Sequence, residues 1–257
     1  DYQRSRGLGD VYKRQVIDLD FMGSKLLTNP ISALYTPFSF ILIYEAFLLI
    51  YYLPRSFTTA VGKQYEIISL IVIRKIFGDI PMIDLDSNWI ENANNLQLIY
   101  DLVAIIIIFF LIFLFRKAQE RLPKKSVSEK LDRFIASKKL VSIILLPILV
   151  IICIVSFSKW FNGVFIVDSI DQNLNYLFFN EFFTLLILVD VFILLLSFQY
   201  TERYSQLIRN TGFIISTILL RLSFQAMGLT SLILIISGIV FGLLILLIYN
   251  SIEKEKI

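Results

Sequence analysis

The chain contains no histidine, so the commonest metal ligand and the usual general base near neutral pH are both missing. Histidine-based zinc proteases, Ser-His-Asp triads and histidine proton relays are excluded with it. A single cysteine, Cys153, rules out an intrachain disulfide and leaves the redox compartment unread. It lies in an apolar run and is expected to be a small lipid- or core-facing residue. An excess of either charge is missing too: 24 Lys and Arg stand against 21 Asp and Glu, without the clustered basic excess of a nucleic-acid binder, so no nucleic acid is expected as a partner. There is no internal repeat and no low-complexity segment, and no loop exceeds about two dozen residues, which leaves no room for a second soluble domain.

Apolar side chains are what abounds. They make up 57% of 257 residues, with a mean hydropathy of +0.75, against roughly 45–50% in soluble domains. The class this implies is an all-α integral membrane protein whose immediate partner is the lipid bilayer.

Ser5 to Gln15, "SRGLGDVYKRQ", matches nothing that follows it. As protein it reads as a basic arm or a degenerate phosphate loop, but Gly7 and Gly9 lack the third glycine, the preceding strand and the following helix. The string resembles the translation of a transposase-type sequencing adapter at all eleven positions. Residues 1–15 are therefore read as a translated artefact and set aside, leaving 16–257 as one polytopic membrane domain. Without Arg4, Arg6, Lys13, Arg14, Asp1 and Asp10 the net charge falls from +3 to +1. The natural start is expected near Val16, at Met22, or in lost sequence.

A spanning helix needs about 20 mostly apolar residues to cross roughly 30 Å of hydrocarbon. Candidate spans are 37–53, 57–77, 98–115, 140–157, 176–198, 207–227 and 229–249. The segment 57–77 carries Lys63, Glu66, Arg74 and Lys75 and either crosses or lies in the interface. The expectation is a bundle of seven transmembrane helices with short loops, six if that segment lies flat. Residues 16–36 are outside in the first case and inside in the second. Loops rich in Lys and Arg stay cytoplasmic. Residues 116–139 hold nine bases against three acids and should be inside, whereas 78–95 hold Asp79, Asp84, Asp86 and Glu91 with no base and should be outside. Alternation then leaves the C-terminus cytoplasmic in a multi-pass protein of the cell membrane. Within the basic loop, Ser126 and Glu129 have capping-box spacing, and Val127, Leu131 and Phe134 share a helical face. A short amphipathic helix on the inner membrane surface and a soluble connector fit equally, and the loop is a candidate docking surface for a protein partner.

Charges inside spans are costly and tend to face a bundle interior or a wet cavity. Asp190 in "LLILVDVFILLL" is the deepest acid, Arg221 in "TILLRLSFQAM" lies on the next, antiparallel helix, and Glu45 in "LIYEAFLL" is a third mid-membrane charge. Counted from the inner helix ends, Asp190 is about 12 Å deep and Arg221 about 21 Å. That offset is large for a direct pair, and Glu181, at about 26 Å, competes in depth but projects from the opposite face. Arg221 is expected to choose one acid or to snorkel outward. Asn210, Thr217, Arg221 and Gln225 form a polar stripe at offsets of seven, four and four, which either lines an aqueous path or bonds a neighbouring helix. The candidate intramembrane polar path is thus Glu45, Asp190, Thr217, Arg221 and Gln225. Ser231, Gly238 and Gly242 share a face of the last helix and are assigned to helix packing, while Pro147 should kink its helix.

These features fit a channel or transporter for ions or small solutes with a buried charge network, although no selectivity loop, inverted repeat or dense arginine run is present. The alternative is a structural or accessory subunit of a membrane complex. An intramembrane enzyme is disfavoured, since no catalytic constellation exists; no cofactor or metal is expected, and Asp84 and Asp86 read as a solvated loop face rather than a cation site.

Overall fold

The structure is a computed structural model and describes residues 41, 43–80, 83, 92–121, 129–165, 174–201, 203–226 and 228–254. The proposed adapter, residues 1–15, lies outside them, as do Asp84, Asp86, Ser126 and Val127. Among the described residues the chain forms seven helices: α1 (Ile43–Tyr52), α2 (Phe57–Asp79), α3 (Ala93–Glu120), α4 (Glu129–Phe165), α5 (Leu174–Tyr200), α6 (Tyr204–Ser223) and α7 (Gly228–Lys254).

Local chemistry sets the turns between them. The Ser56 side chain accepts from Thr59 N at 3.2 Å to start α2, and Asn92 does the same for Asn94 N at 3.0 Å to start α3. Between α6 and α7 the turn closes on Gly228 at φ +58°, a left-handed conformation that side chains rarely adopt.

Four helices, α3, α4, α5 and α7, are long and apolar enough to cross a membrane. The expected count of seven is therefore too high by that criterion. α1 is described over only ten residues, α2 carries charges along its length, and the polar stripe dilutes α6. Side chains of the long helices face outward in a way water would penalise: Ile106, Ile143, Ile154 and Leu188 are between 60% and 68% exposed. The arrangement supports a helical membrane protein.

Apolar spans end before the helices do, because Lys, Arg, Glu and Gln continue a helix readily once it has left the hydrocarbon. Hence α3 runs to Glu120, and α4 starts at Glu129 and continues without a break through Pro147 to Phe165. Among the described residues of the basic loop, those from Glu129 onward belong to α4 and form no separate surface helix. Phe134 is buried, its ring 5.8 Å from Phe57 and 5.6 Å from Tyr200, so this member of the apolar face meets protein.

α6 is the hub, packed on α7, α5 and α2, while α3 bridges α2 and α7, and α4 lies on α5. Two ends of the bundle can be distinguished. At one, Lys138 Nζ donates to Arg55 O at 2.7 Å, Asn250 Nδ2 to Ala118 O at 2.8 Å, and Ser205 Oγ to Glu253 Oε1 at 3.2 Å. At the other, Lys75 Nζ donates to Asp101 Oδ1 at 3.3 Å and the Phe183 ring stacks on Phe224 at 4.4 Å. α2 runs antiparallel to α3 between these ends, with Gly62 against Phe115 and Gln119 at its start and Lys75 against Asp101 near its close.

Candidate functional site

Asp190 of α5 and Arg221 of α6 form a direct ion pair in the middle of the bundle, each about 2% exposed. The depth offset predicted that the two would reach each other only with difficulty. Side chains on a helix lean toward its N-terminus. In antiparallel α5 and α6 that lean brings Arg221 down and Asp190 up, and the long arginine side chain closes the remainder. Glu181, the competing acid, is exposed.

Two further groups complete the pair. Thr217, one turn before Arg221, donates Oγ1 to Asp190 Oδ2 at 2.7 Å and also lies 2.9 Å from Ile214 O. Arg221 Nη1 serves both Asp190 Oδ2 and the Leu186 carbonyl one turn up α5. The second terminal nitrogen, Nη2, is buried and meets no acceptor among the described residues. The guanidinium fork is thus used on one prong only.

Toward the Phe224 end, Gln225 Nε2 lies 3.4 Å from Thr184 Oγ1, placing the stripe's outermost member on the same α5–α6 seam. Toward the other end, the buried Lys138 of α4 lies within the field of Asp190, with its ammonium 4.6 Å from the Phe57 ring centroid. Asn210 stays on the stripe but turns to Arg209, whose Nη2 donates to its Oδ1 at 3.0 Å.

Glu45 is not brought to this cluster. It pairs with Arg74 of α2, Oε2 to Nε at 3.4 Å, with both residues buried. By position in the sequence Arg74 is only a charge that weakens its segment as a span, and Lys138 is a loop charge. The signal available for Arg74 was the mid-span acid Glu45 on the preceding helix, which needs a cation.

The glycines assigned to packing lie at tight approaches. A Cβ on Gly242 would come within 1.8 Å of the Tyr65 hydroxyl, and one on Gly238 within 3.2 Å of Ser216 O. Tyr65 and Ser216 share a hydrogen bond at 2.7 Å, and Ser216 donates onward to Gly238 O at 2.6 Å, so a polar thread joins α2, α6 and α7. Ser231 is half-buried, nearer the start of α7.

Beyond the end of the 57–77 segment, Asp79 lies beside Lys75 and Asp101, whose Oδ1 also accepts from Gln97 Nε2 at 3.0 Å. Burial pushes the Asp79 carboxyl from an ordinary 3.8 up to about 6, with Lys75 opposing and Asp101 adding to the rise. Among the described residues no three metal-ligating side chains gather.

No family model, curated protein or solved structure matches this chain. The α5–α6 seam offers a cation with an unused donor, a carboxylate that can compete for it, and a hydroxyl that holds the carboxylate in place.

Proposed function

We propose that the chain is a multi-pass membrane carrier for an ion or small polar solute, centred on Asp190, Thr217 and Arg221. The observation that carries this reading is the Asp190–Arg221 pair, fully buried at mid-bundle. Burying two charges is no better for stability than filling the same volume with apolar side chains, so the pair suggests a role beyond cohesion. Asp190 is bonded by Arg221 and Thr217 from α6, and its field reaches Lys138 of α4. Protonating Asp190 would weaken its hold on Arg221 and free the guanidinium for cargo; release of cargo would restore the pair. Movement of cargo is thereby coupled to movement of a proton.

The same reading has α1, α2 and α6 cross the membrane beside the four apolar helices, for seven crossings. In its favour, α2 and α6 have 23 and 20 residues, about 35 and 30 Å, and Gln64, Ser69 and Arg74 of α2 and Asn210, Ser216, Thr217 and Arg221 of α6 are buried. The end holding Arg55, Lys138 and the α7 C-terminus is cytoplasmic, by the rule that Lys and Arg stay inside.

Reconstituting the full chain in liposomes and imposing a pH gradient tests the carrier. Asp190→Asn, assayed where it remains folded, should abolish pH-dependent flux. Unchanged flux would remove Asp190 from the mechanism and favour the second reading, an accessory subunit that docks a protein through residues 116–139. One observation supports that alternative: α4 turns most of its apolar surface outward, available to a neighbouring helix as well as to lipid.

A further inference from the structure

The charges along the α4–α5–α6 seam do not balance. Arg221 and Lys138 are buried cations, and among the described residues Asp190 is the acid that pairs with the first and whose field reaches the second. A net positive charge held out of water is costly unless a negative group joins it. Its location is specific. Arg221 Nη1 is occupied by Asp190 and Leu186 O, while Nη2 is buried and meets no acceptor among the described residues. Glu45 is committed to Arg74, and Glu253, at the far end, accepts from Ser205, so neither acid supplies the missing charge.

We propose that Arg221 Nη2 is the binding point for a small monovalent anion, recognised by the free prong of the guanidinium and by the positive excess it shares with Lys138. As the identity of the cargo, this assignment rests on the carrier reading; as a binding site, it stands apart from it. Asp190 is then the built-in competitor of the anion. Both are negative and both are drawn to one guanidinium, so whatever neutralises the carboxylate tightens the anion.

Chloride is the probe. The full chain in detergent is titrated with sodium chloride against sodium gluconate at constant ionic strength, and its thermal midpoint is followed. The wild type should gain stability with chloride in the manner of a ligand bound to the folded state alone. Asp190→Asn should bind chloride about a hundredfold more tightly, the scale expected from removing a unit charge several ångströms away. The double variant Asp190→Asn/Arg221→Gln, which removes the guanidinium without stranding the Asp190 carboxylate, should lose the dependence. Equal effects of chloride and gluconate, equal or weaker chloride binding by Asp190→Asn, or chloride dependence persisting in the double variant would each overturn the proposal. Chloride binding without flux would refute the carrier and leave the site standing. Flux with no chloride binding would do the reverse.

Discussion

Replacing Asp190 and Arg221 singly and together separates a coupled pair from two neighbours. Asp190→Asn keeps the shape and an oxygen for Thr217, but leaves the Arg221 charge 2% exposed with the Leu186 carbonyl as its remaining described acceptor. Removing one partner of a buried pair typically costs about 3–5 kcal/mol. The surviving carbonyl and the asparagine oxygen place this variant near the lower figure. Arg221→Leu strands the opposite charge, with the Thr217 hydroxyl still donating to it, and should cost a similar about 3 kcal/mol. Asp190→Asn/Arg221→Leu removes both charges of the pair and should return to within about 1 kcal/mol of the wild type, since neutral replacements of a buried pair are often tolerated. The interaction energy in the cycle is then about 5 kcal/mol, above the roughly 0.5–3 kcal/mol usual for contacting residues. At about 2–4 °C per kcal/mol for a chain of this size, each single variant should melt roughly 6–12 °C lower in a chloride-free detergent buffer. Additive losses, or a double variant worse than either single one, would show that the two side chains do not support each other.

Gly242→Ala should destabilise by about 1–3 kcal/mol, because its methyl group would meet the Tyr65 hydroxyl and Ser216 Oγ; Tyr65→Phe should recover part of that loss in thermal unfolding, and absence of rescue would refute the contact. Asp79, raised to about 6 by burial, is protonated in both states below about pH 4 and ionised in both above about pH 6. Its burial therefore lowers stability progressively between those values, and Asp79→Asn should flatten that limb of the pH–stability curve and stabilise the chain at pH 7. In a Cys153→Ala background, a cysteine at Ser251 should resist an impermeant thiol reagent in intact cells while one at Ser87 reacts; external labelling at Ser251 would reverse the orientation.

The sequence by itself determined the class and the long helices. A backbone in hydrocarbon must satisfy its own hydrogen bonds, so unbroken apolar runs such as those within α3 and α7 have only helix open to them. It also marked Asp190, Arg221 and Glu45 as buried charges, because ionisable groups in such runs are too costly to leave facing lipid. Tertiary structure alone decided who meets whom. Residue counting gives depth along one helix, but whether Asp190 reaches Arg221 depends on the opposed lean of side chains on antiparallel helices, and that follows from packing. The same holds for Glu45, whose partner Arg74 comes from the segment that hydropathy ranked lowest, and for Lys138, a loop charge by position that α4 draws under Arg55 O. Hydropathy sums a window and discards direction. A polar helix such as α6 therefore scores poorly, although its Thr217, Arg221 and Ser216 all turn inward and tie α5, α7 and α2 together.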